Sequence, residues 1–437
     1  MAGYRSVESV HDGSSVEESP GAETPGDSPG AATEGGGGWF HGGRGNGGER
    51  APFRWRKRHT LLAVLAVIVI AAVISAFIQL PYYAVTPGSA PDVSGLITIP
   101  AADRHPHPGS VLLVYVELTP MRAIEYPFFW LDPNAAIWPS GAVLGSETTA
   151  QYSIEGLIDM STAQQAATVV ALTELGYKVP VVAVGALVYG ILPGSPAAAS
   201  LDVGDVISAV NGVRVPTYLD LEKKLEGAVP GETVHLVVSA YPSGKLRTVA
   251  MRLGVFRIKG RGPNATLVCL PEGQGTRYPV AQFVTVAGGK RHPVACLGIY
   301  PQGSGGPAVD GTAFKVGPLP VKVNLSSEGI VGPSAGLAFT LGVMQELDKA
   351  DLTGGHKVAA TGTMSIDGSV GDVGGVAQKT IAVRGAGASV FFVPEQEYAT
   401  AKAHAGPHLR IYAVSSIGQV IRILESLGGR LVRTTAN

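Results

Sequence analysis

The chain has 437 residues, 45% of them hydrophobic and 15% charged, with a formal net charge of -1 at pH 7. That length accommodates two or three domains with cores of their own. The near-neutral balance argues against nucleic acid as the main partner; two cysteines exclude a disulfide-built scaffold, and no G-x-x-x-x-G-K-[ST] stretch marks a nucleotide-driven motor.

Residues 1–59 begin with a Ser/Glu/Pro-rich stretch and pass into GGGGWFHGGRGNGGER. This composition buries too little apolar surface to offset the entropy of ordering, so a disordered tail is expected. The basic cluster RWRKRH (54–59) precedes TLLAVLAVIVIAAVISAFIQL (60–80), which carries no charge. About 20 apolar residues cross the hydrocarbon core as a helix. A cleaved signal peptide has a shorter apolar core and a short basic leader, so 60–80 is expected to be a single transmembrane anchor in contact with lipid. The cluster of Arg and Lys before the span places the N-terminal tail in the cytoplasm and everything after Leu80 outside.

Residues 81–182 form an extracytoplasmic α/β region. SVLLVYVEL (110–118) has the apolar and β-branched density of a buried strand, and the aromatic cluster YPFFWLDPNAAIW (126–138) is expected as a packed loop. Ser161–Gln164 is a capping box opening a helix that Gly176 closes. His105-Pro106-His107 is a loop rather than a ligand pair, and no cluster has metal-ligand spacing. No metal or cofactor is expected.

From residue 183 the order is strand, Pro-Gly-Ser-Pro turn, short small-residue helix, strand, Asn211-Gly212 hairpin turn, helix and hairpin. The helix TYLDLEKKLEG sets Leu219, Leu221 and Leu225 against Glu and Lys. With PGSPA, GDVI and VNG in series, residues 183–255 resemble a PDZ domain of bacterial exported proteases. The resemblance implies an extended peptide added to a sheet edge, with Gly185, Ala186, Leu187 and Val188 as the edge. Connecting strands follow over 256–296. Cys269 and Cys296 either form a disulfide, which export permits, or stay two buried thiols.

The last segment, 297–437, carries the chemistry. LPVKVNL (319–325) alternates as a strand. Gly332-Pro333-Ser334-Ala335-Gly336 then opens an apolar helix with Leu337, Leu341, Met344 and Leu347 on one face. G-x-S-x-G alone is weak, because Gly26–Gly30 in the tail fits it too. At a helix start, free N–H groups and the dipole favour a developing oxyanion; equally, Ser334 there is a plain helix cap. Downstream, HKVAATGTMSIDGSVGDVGGVAQKTIAVRGAGASVFFVP reads as strand, hairpin, helix and strand. Lys379 lies one turn into that helix among Val376, Ile381 and Val383, where burial lowers an amine's pKa towards a value useful for a base.

GPSAG, KVAATGT and GGVAQKT, in that order, resemble the proteolytic domain of the Lon family of serine proteases. The resemblance implies a Ser-Lys dyad of Ser334 and Lys379, with Thr361 orienting it and backbone N–H groups near Ser334 and Ala335 for the oxyanion. Two departures stand out: the family's acidic residue before GPSAG is Val331 here, and its T-G-E is Thr361-Gly362-Thr363. The expected fold is therefore multidomain α+β: one transmembrane helix, a PDZ domain and a C-terminal Lon-type α/β proteolytic domain. It resembles the membrane-anchored, PDZ-containing Lon-like proteases of bacteria. The resemblance implies an ATP-independent endopeptidase acting on unfolded or extended segments of exported proteins. Oligomeric state is open, a homo-oligomer included. Two other readings stand beside it: an α/β-hydrolase with Asp367 or Asp372 and His404 or His408, and a catalytically silent PDZ adaptor holding exported tails at the membrane.

Overall fold

Hydrophobic pattern and turn chemistry divide the chain into the elements that follow, seen in a computed structural model that describes residues 57–145, 148–260, 265–281, 283–285, 291–300 and 311–433. The described residues up to Leu62 belong to helix α1 (Lys57–Phe77); the rest lie in the unit Ala63–Asn437. Among the described residues α1 is the one helix long and apolar enough to cross a membrane, and Leu65, Ile68 and Ile74 on it are exposed. The apolar run continues to Leu80, but the helix stops at Phe77. Gln79 already starts strand β1 (Gln79–Pro87), whose residues Tyr83, Ala84 and Val85 are buried.

Strands β2 (Ile97–Thr98), β3 (Ser110–Leu113) and β4 (Val116–Arg122) come next. The run expected as a single strand at 110–118 is thus split in two. Helix α2 (Tyr126–Leu131), strand β5 (Ala136–Pro139) and helix α3 (Ser140–Leu144) follow, and β1 lies between β4 and β5. The aromatic cluster is not a packed loop: α2 buries none of its residues, and Phe128, Trp130 and Leu131 are 73%, 69% and 71% exposed. The segment leading into α2 is hydrogen-bonded to the end of α1: Ala123 N–H donates to Ile78 carbonyl at 2.9 Å and Ile124 N–H to Ser75 carbonyl at 3.3 Å. Helix α4 (Thr149–Glu174) starts twelve residues before the expected Ser161, because Thr148 and Gln151 form the capping box that opens it. Ser161–Gln164 is interior to it. Gly176, with φ 90°, closes it as expected.

The second module contains strands β6 (Val181–Leu187), β7 (Gly190–Ile191), β8 (Val206–Val210) and β9 (Val213–Arg214), helix α5 (Tyr218–Leu225), and the hairpin β10 (Thr233–Ala240) with β11 (Lys245–Arg252). Asn211 and Gly212 both have positive φ in the β8–β9 turn, as that tight hairpin demands. On α5, Leu221 is buried and Leu225 packs on the core as expected, but Leu219 faces out and Tyr218 packs there in its place. Connecting strands β12 (Gly254–Lys259), β13 (Thr266–Pro271), β14 (Phe283–Thr285), β15 (Arg291–Pro293), β16 (Ala295–Cys296) and β17 (Ile299–Tyr300) follow, and Cys269 and Cys296 are disulfide-bonded between β13 and β16. Strand β18 (Thr312–Val316) returns to pair with β6, giving the order β11-β10-β8-β6-β18.

The last module begins at β19 (Asn324–Leu325), paired with β2. Of the strand expected over 319–325 only these two residues pair, although Val321 and Val323 alternate inward as the pattern demanded. Helix α6 (Gly336–Leu347), strands β20 (Lys357–Ala360), β21 (Thr363–Met364) and β22 (Val370–Gly371), helix α7 (Val376–Gly385), strand β23 (Val390–Pro394), helix α8 (Tyr398–His404), strand β24 (Arg410–Val414) and helix α9 (Ile417–Ser426) complete it. Its parallel sheet has the order β24-β23-β20-β3, so the edge strand comes from the region before the PDZ module. Side-chain alternation explains the layering: Val390 and Phe392 join a core with α4, α6 and α9, while Phe391 and Val393 join one with α7 and α8. Because α4 covers it, α6 is buried on every side rather than on one face.

Candidate active site

Ser334 sits in a single 3-10 turn, Pro333–Ala335, between a loop and α6. Two glycines permit this. Gly332, before the turn, has φ 94°, and its N–H donates to Gly156 carbonyl of α4 at 2.8 Å. A Cβ on Gly336, after it, would meet the Met364 backbone nitrogen at 2.8 Å, so the helix start approaches the β21 backbone as only glycine allows. The N-cap of α6 is Ala335, and no side chain caps the helix. Ser334 is therefore not a helix cap.

The end of β20 lies against this turn, at the C-terminal edge of the parallel sheet where α/β folds place ligands. Ser334 carbonyl accepts from Gly362 N–H at 3.0 Å and from the Thr361 hydroxyl at 3.3 Å, while Leu337 N–H donates to Gly362 carbonyl at 3.0 Å. Thr361 is fully buried and is pinned to β23 by its own N–H, which donates to Phe392 carbonyl.

Lys379 reaches the same hydroxyl. Helix α7 starts after Gly375, whose φ is 69° and whose Cβ, if present, would strike Val116 of β4 at 2.9 Å. Lys379 is 2% exposed, and its Nζ donates to Thr361 Oγ1 at 3.2 Å. Burial pushes its amine down to about 7, with the Glu397 carboxylate pulling modestly the other way. Glu397, in the 3-10 turn Glu395–Glu397 before α8, is itself pushed up, chiefly by burial and then by Asp372. Sequence reasoning missed Glu397: no motif contains it, and only the β23–α8 turn brings it within electrostatic reach of the lysine. The positions where the family carries acid behave differently. Val331 is 47% exposed, and the buried Thr363 hydroxyl has no hydrogen-bond partner among the described residues.

Two residues of the hydrolase reading are engaged in local hydrogen bonds. Asp367 accepts from Ser369 in the β21–β22 turn, and His404 Nδ1 lies 2.9 Å from Thr400 carbonyl on its own helix. The edge Gly185–Val188 is not open: β18 pairs with Gly185 and Ala186, Leu187 N–H donates to Gly311 carbonyl, and Val188 N–H donates to Asp205 carbonyl. Among the described residues no group of three or more His, Cys, Asp or Glu is placed to hold a metal ion.

Comparison with known proteins finds two family matches along the chain. Residues 319–425 match the Lon protease (S16) C-terminal proteolytic domain, and residues 159–252 match the PDZ domain. A probable periplasmic DegP-like serine endoprotease of Bartonella henselae is 34% identical over 134 residues, 28% of this chain and 26% of that protein. The Lon protease of Mycoplasma mobile is 29% identical over 100 residues, 23% of this chain and 12% of that one. This chain thus spans only a minor part of either relative. A PDZ domain of an SdrC-like protein of Listeria innocua is 20% identical, covers 20% of this chain and 93% of that one, and superposes with a TM-score of 0.16. The chain carries a PDZ domain and, after it, a C-terminal proteolytic domain of the Lon protease (S16) type.

Proposed function

We propose that the chain is a membrane-anchored serine endopeptidase in which Ser334 is the nucleophile and Lys379 the general base. The observation that carries this reading is the shared partner: Lys379 Nζ and Ser334 carbonyl both bond to the Thr361 hydroxyl. An amine held near 7 by burial is largely neutral at mildly alkaline pH. It takes the Ser334 hydroxyl proton as the serine attacks and returns it to the leaving amine, a role worth about 10²–10⁴ in rate. Backbone N–H groups at the start of α6, near Ser334 and Ala335, stabilise the oxyanion. The sequence holds no nucleotide-binding motif, so cleavage within this chain is read as ATP-independent, and its substrates as unfolded or extended segments that the PDZ domain helps to recognise.

The anchoring reading rests on α1 and its basic flank; by the positive-inside rule the PDZ and proteolytic domains are read as lying outside the cytoplasm, with exported proteins as substrates. The exposed Phe128, Trp130 and Leu131 support it, because apolar side chains beside the end of such a helix sit at the depth of the lipid interface. In the test, Ser334→Ala and Lys379→Ala each abolish cleavage of an unfolded reporter by the purified chain, while His404→Ala and His408→Ala retain it. Near-normal cleavage by either dyad variant removes the dyad. Loss in a histidine variant restores the hydrolase reading, and a wild-type chain that binds peptides but never cleaves them favours the silent adaptor.

A further inference from the structure

The PDZ sheet edge that the sequence marks for peptide already holds a strand of the same chain. β18 runs antiparallel to β6, with Thr312 opposite Ala186, Ala313 opposite Gly185, Phe314 opposite Ala183 and Val316 opposite Val181. The ladder extends beyond both ends: Leu187 N–H donates to Gly311 carbonyl at 2.7 Å, and Gly317 N–H to Pro180 carbonyl at 2.8 Å. At its start the buried Thr312 hydroxyl accepts from Tyr218 N–H at 3.2 Å. Tyr218 opens α5, whose first N–H groups have no partner within the helix. β18 thus engages both the backbone edge and the neighbouring helix start, and it runs as an added peptide strand would.

Three observations mark it as removable. It lies outside residues 159–252, which match the PDZ domain, and the chain reaches it only 60 residues after Arg252, counting to Thr312. None of its residues belongs to the main PDZ core, which closes through residues from Ala186 to Leu297; only Ala313 packs on a buried cluster, the small one of Ile158, Leu187 and Tyr189. Its pairing is also interrupted by a bulge between Ala313 and Phe314.

We propose that β18 is a resident ligand of the PDZ edge, and that an extended peptide with a hydroxyl residue over Tyr218 binds by displacing it. The proposal rests on the PDZ domain being a peptide-recognition module. A tethered strand acts at a high effective concentration, so a free peptide's apparent affinity falls by the fraction of chains whose edge is open. Weakly matching tails are thereby refused. Val321 and Val323, buried in the proteolytic core, hold the chain beyond Pro318, so release is confined to the segment around β18 and leaves the Ser334 turn in place.

The probe is a fluorescein-labelled, C-amidated peptide with the sequence of residues 311–317, GTAFKVG, titrated into the full chain in detergent. Phe314→Pro, which breaks the β18 pairing, should bind at least tenfold more tightly than the unmodified chain. The double variant Ala183→Cys/Phe314→Cys, which locks two facing residues, should lose binding when oxidised and regain it on reduction, with the reduced unmodified chain as control for the native bridge. Equal binding by the oxidised lock and the unmodified chain overturns displacement while leaving peptide recognition intact. No binding by any form, a natively folded Phe314→Pro included, overturns peptide recognition and this inference together. If Phe314→Pro fails to fold, the oxidised-versus-reduced contrast decides alone.

Discussion

Replacing Lys379 with methionine should stabilise the protein, by an amount that depends on pH. The amine falls from 10.5 to about 7 through burial, and at about 1.4 kcal/mol per pH unit that interval corresponds to roughly 5 kcal/mol. The sign follows from proton counts in the two states. Below pH 7 the lysine is charged both folded and unfolded, and the folded state carries the full desolvation cost. Between 7 and 10.5 only the unfolded chain holds the proton, so the cost shrinks as pH rises, and above 10.5 it is gone. Methionine has nearly the same shape and no charge, but it gives up the bond to Thr361, worth about 0.5–1.5 kcal/mol. Lys379→Met should therefore be more stable by about 4 kcal/mol near pH 6.5, with the gap closing by about 1.4 kcal/mol per unit above neutrality. Urea midpoints of both chains at several pH values measure it. Parallel stability curves from about pH 6.5 to 10 would refute the buried, neutral base. A histidine base cannot mimic the result, since its unfolded pKa of about 6.5 puts its window lower.

The same ionisation predicts that kcat/KM falls about tenfold per pH unit below about 7 in wild type, His404→Ala and His408→Ala alike; a limb that shifts in either variant identifies another base. Thr361→Val should leave the fold intact but lower kcat about 10–100-fold with KM little changed, because it removes the hydroxyl shared by Lys379 and Ser334; an unchanged kcat refutes its positioning role. Cys269→Ser should lower stability by about 3–4 kcal/mol, the entropy of opening a loop of this length, and thiol labelling of the denatured, unreduced wild type should find no reactive cysteine. Brominated lipid should quench Trp130 in the reconstituted chain, read as the difference from Trp130→Tyr; equal quenching in both chains would place α2 away from the bilayer.

What the sequence made legible was local. Asn211-Gly212, the β10–β11 hairpin and the strand–hairpin–helix–strand run through Lys379 follow from turn residues and side-chain period, which act over a few positions. What stayed hidden was pairing at a distance. SVLLVYVEL read as a buried strand, but nothing local tells that β3 joins β20, almost 250 residues later. TAFKV (312–316) is too short to stand out, and its partner β6 reads as a free edge until the ladder is seen. At the site, Ser334, Thr361 and Lys379 were readable because they sit in motifs. Glu397 was not, since its relation to Lys379 depends on where β23 ends and α8 begins.

Long-range packing also reaches the elements that carry the site. Burial lowers the Lys379 amine to about 7, and the start of its helix is packed by residues distant in sequence. Val116 of β4 closes over Gly375 at the start of α7, and Trp138 of β5 lies within 3.9 Å of a Cβ built on Gly374. On the other side of the sheet, α4 holds Gly332 through the Gly156 carbonyl and so fixes the turn that presents Ser334. All three contacts come from residues before 159, where the match to the PDZ domain begins. The α/β region before the PDZ domain, in which the sequence marked a strand and a helix, therefore packs against the start of α7 and holds the turn that carries Ser334. Strand β1, which follows α1, carries β4 and β5 on its two edges. The pairings around the site therefore draw on chain from both sides of the PDZ domain: β3 pairs with β20, beyond whose end Gly362 N–H donates to the Ser334 carbonyl, and β2 pairs with β19.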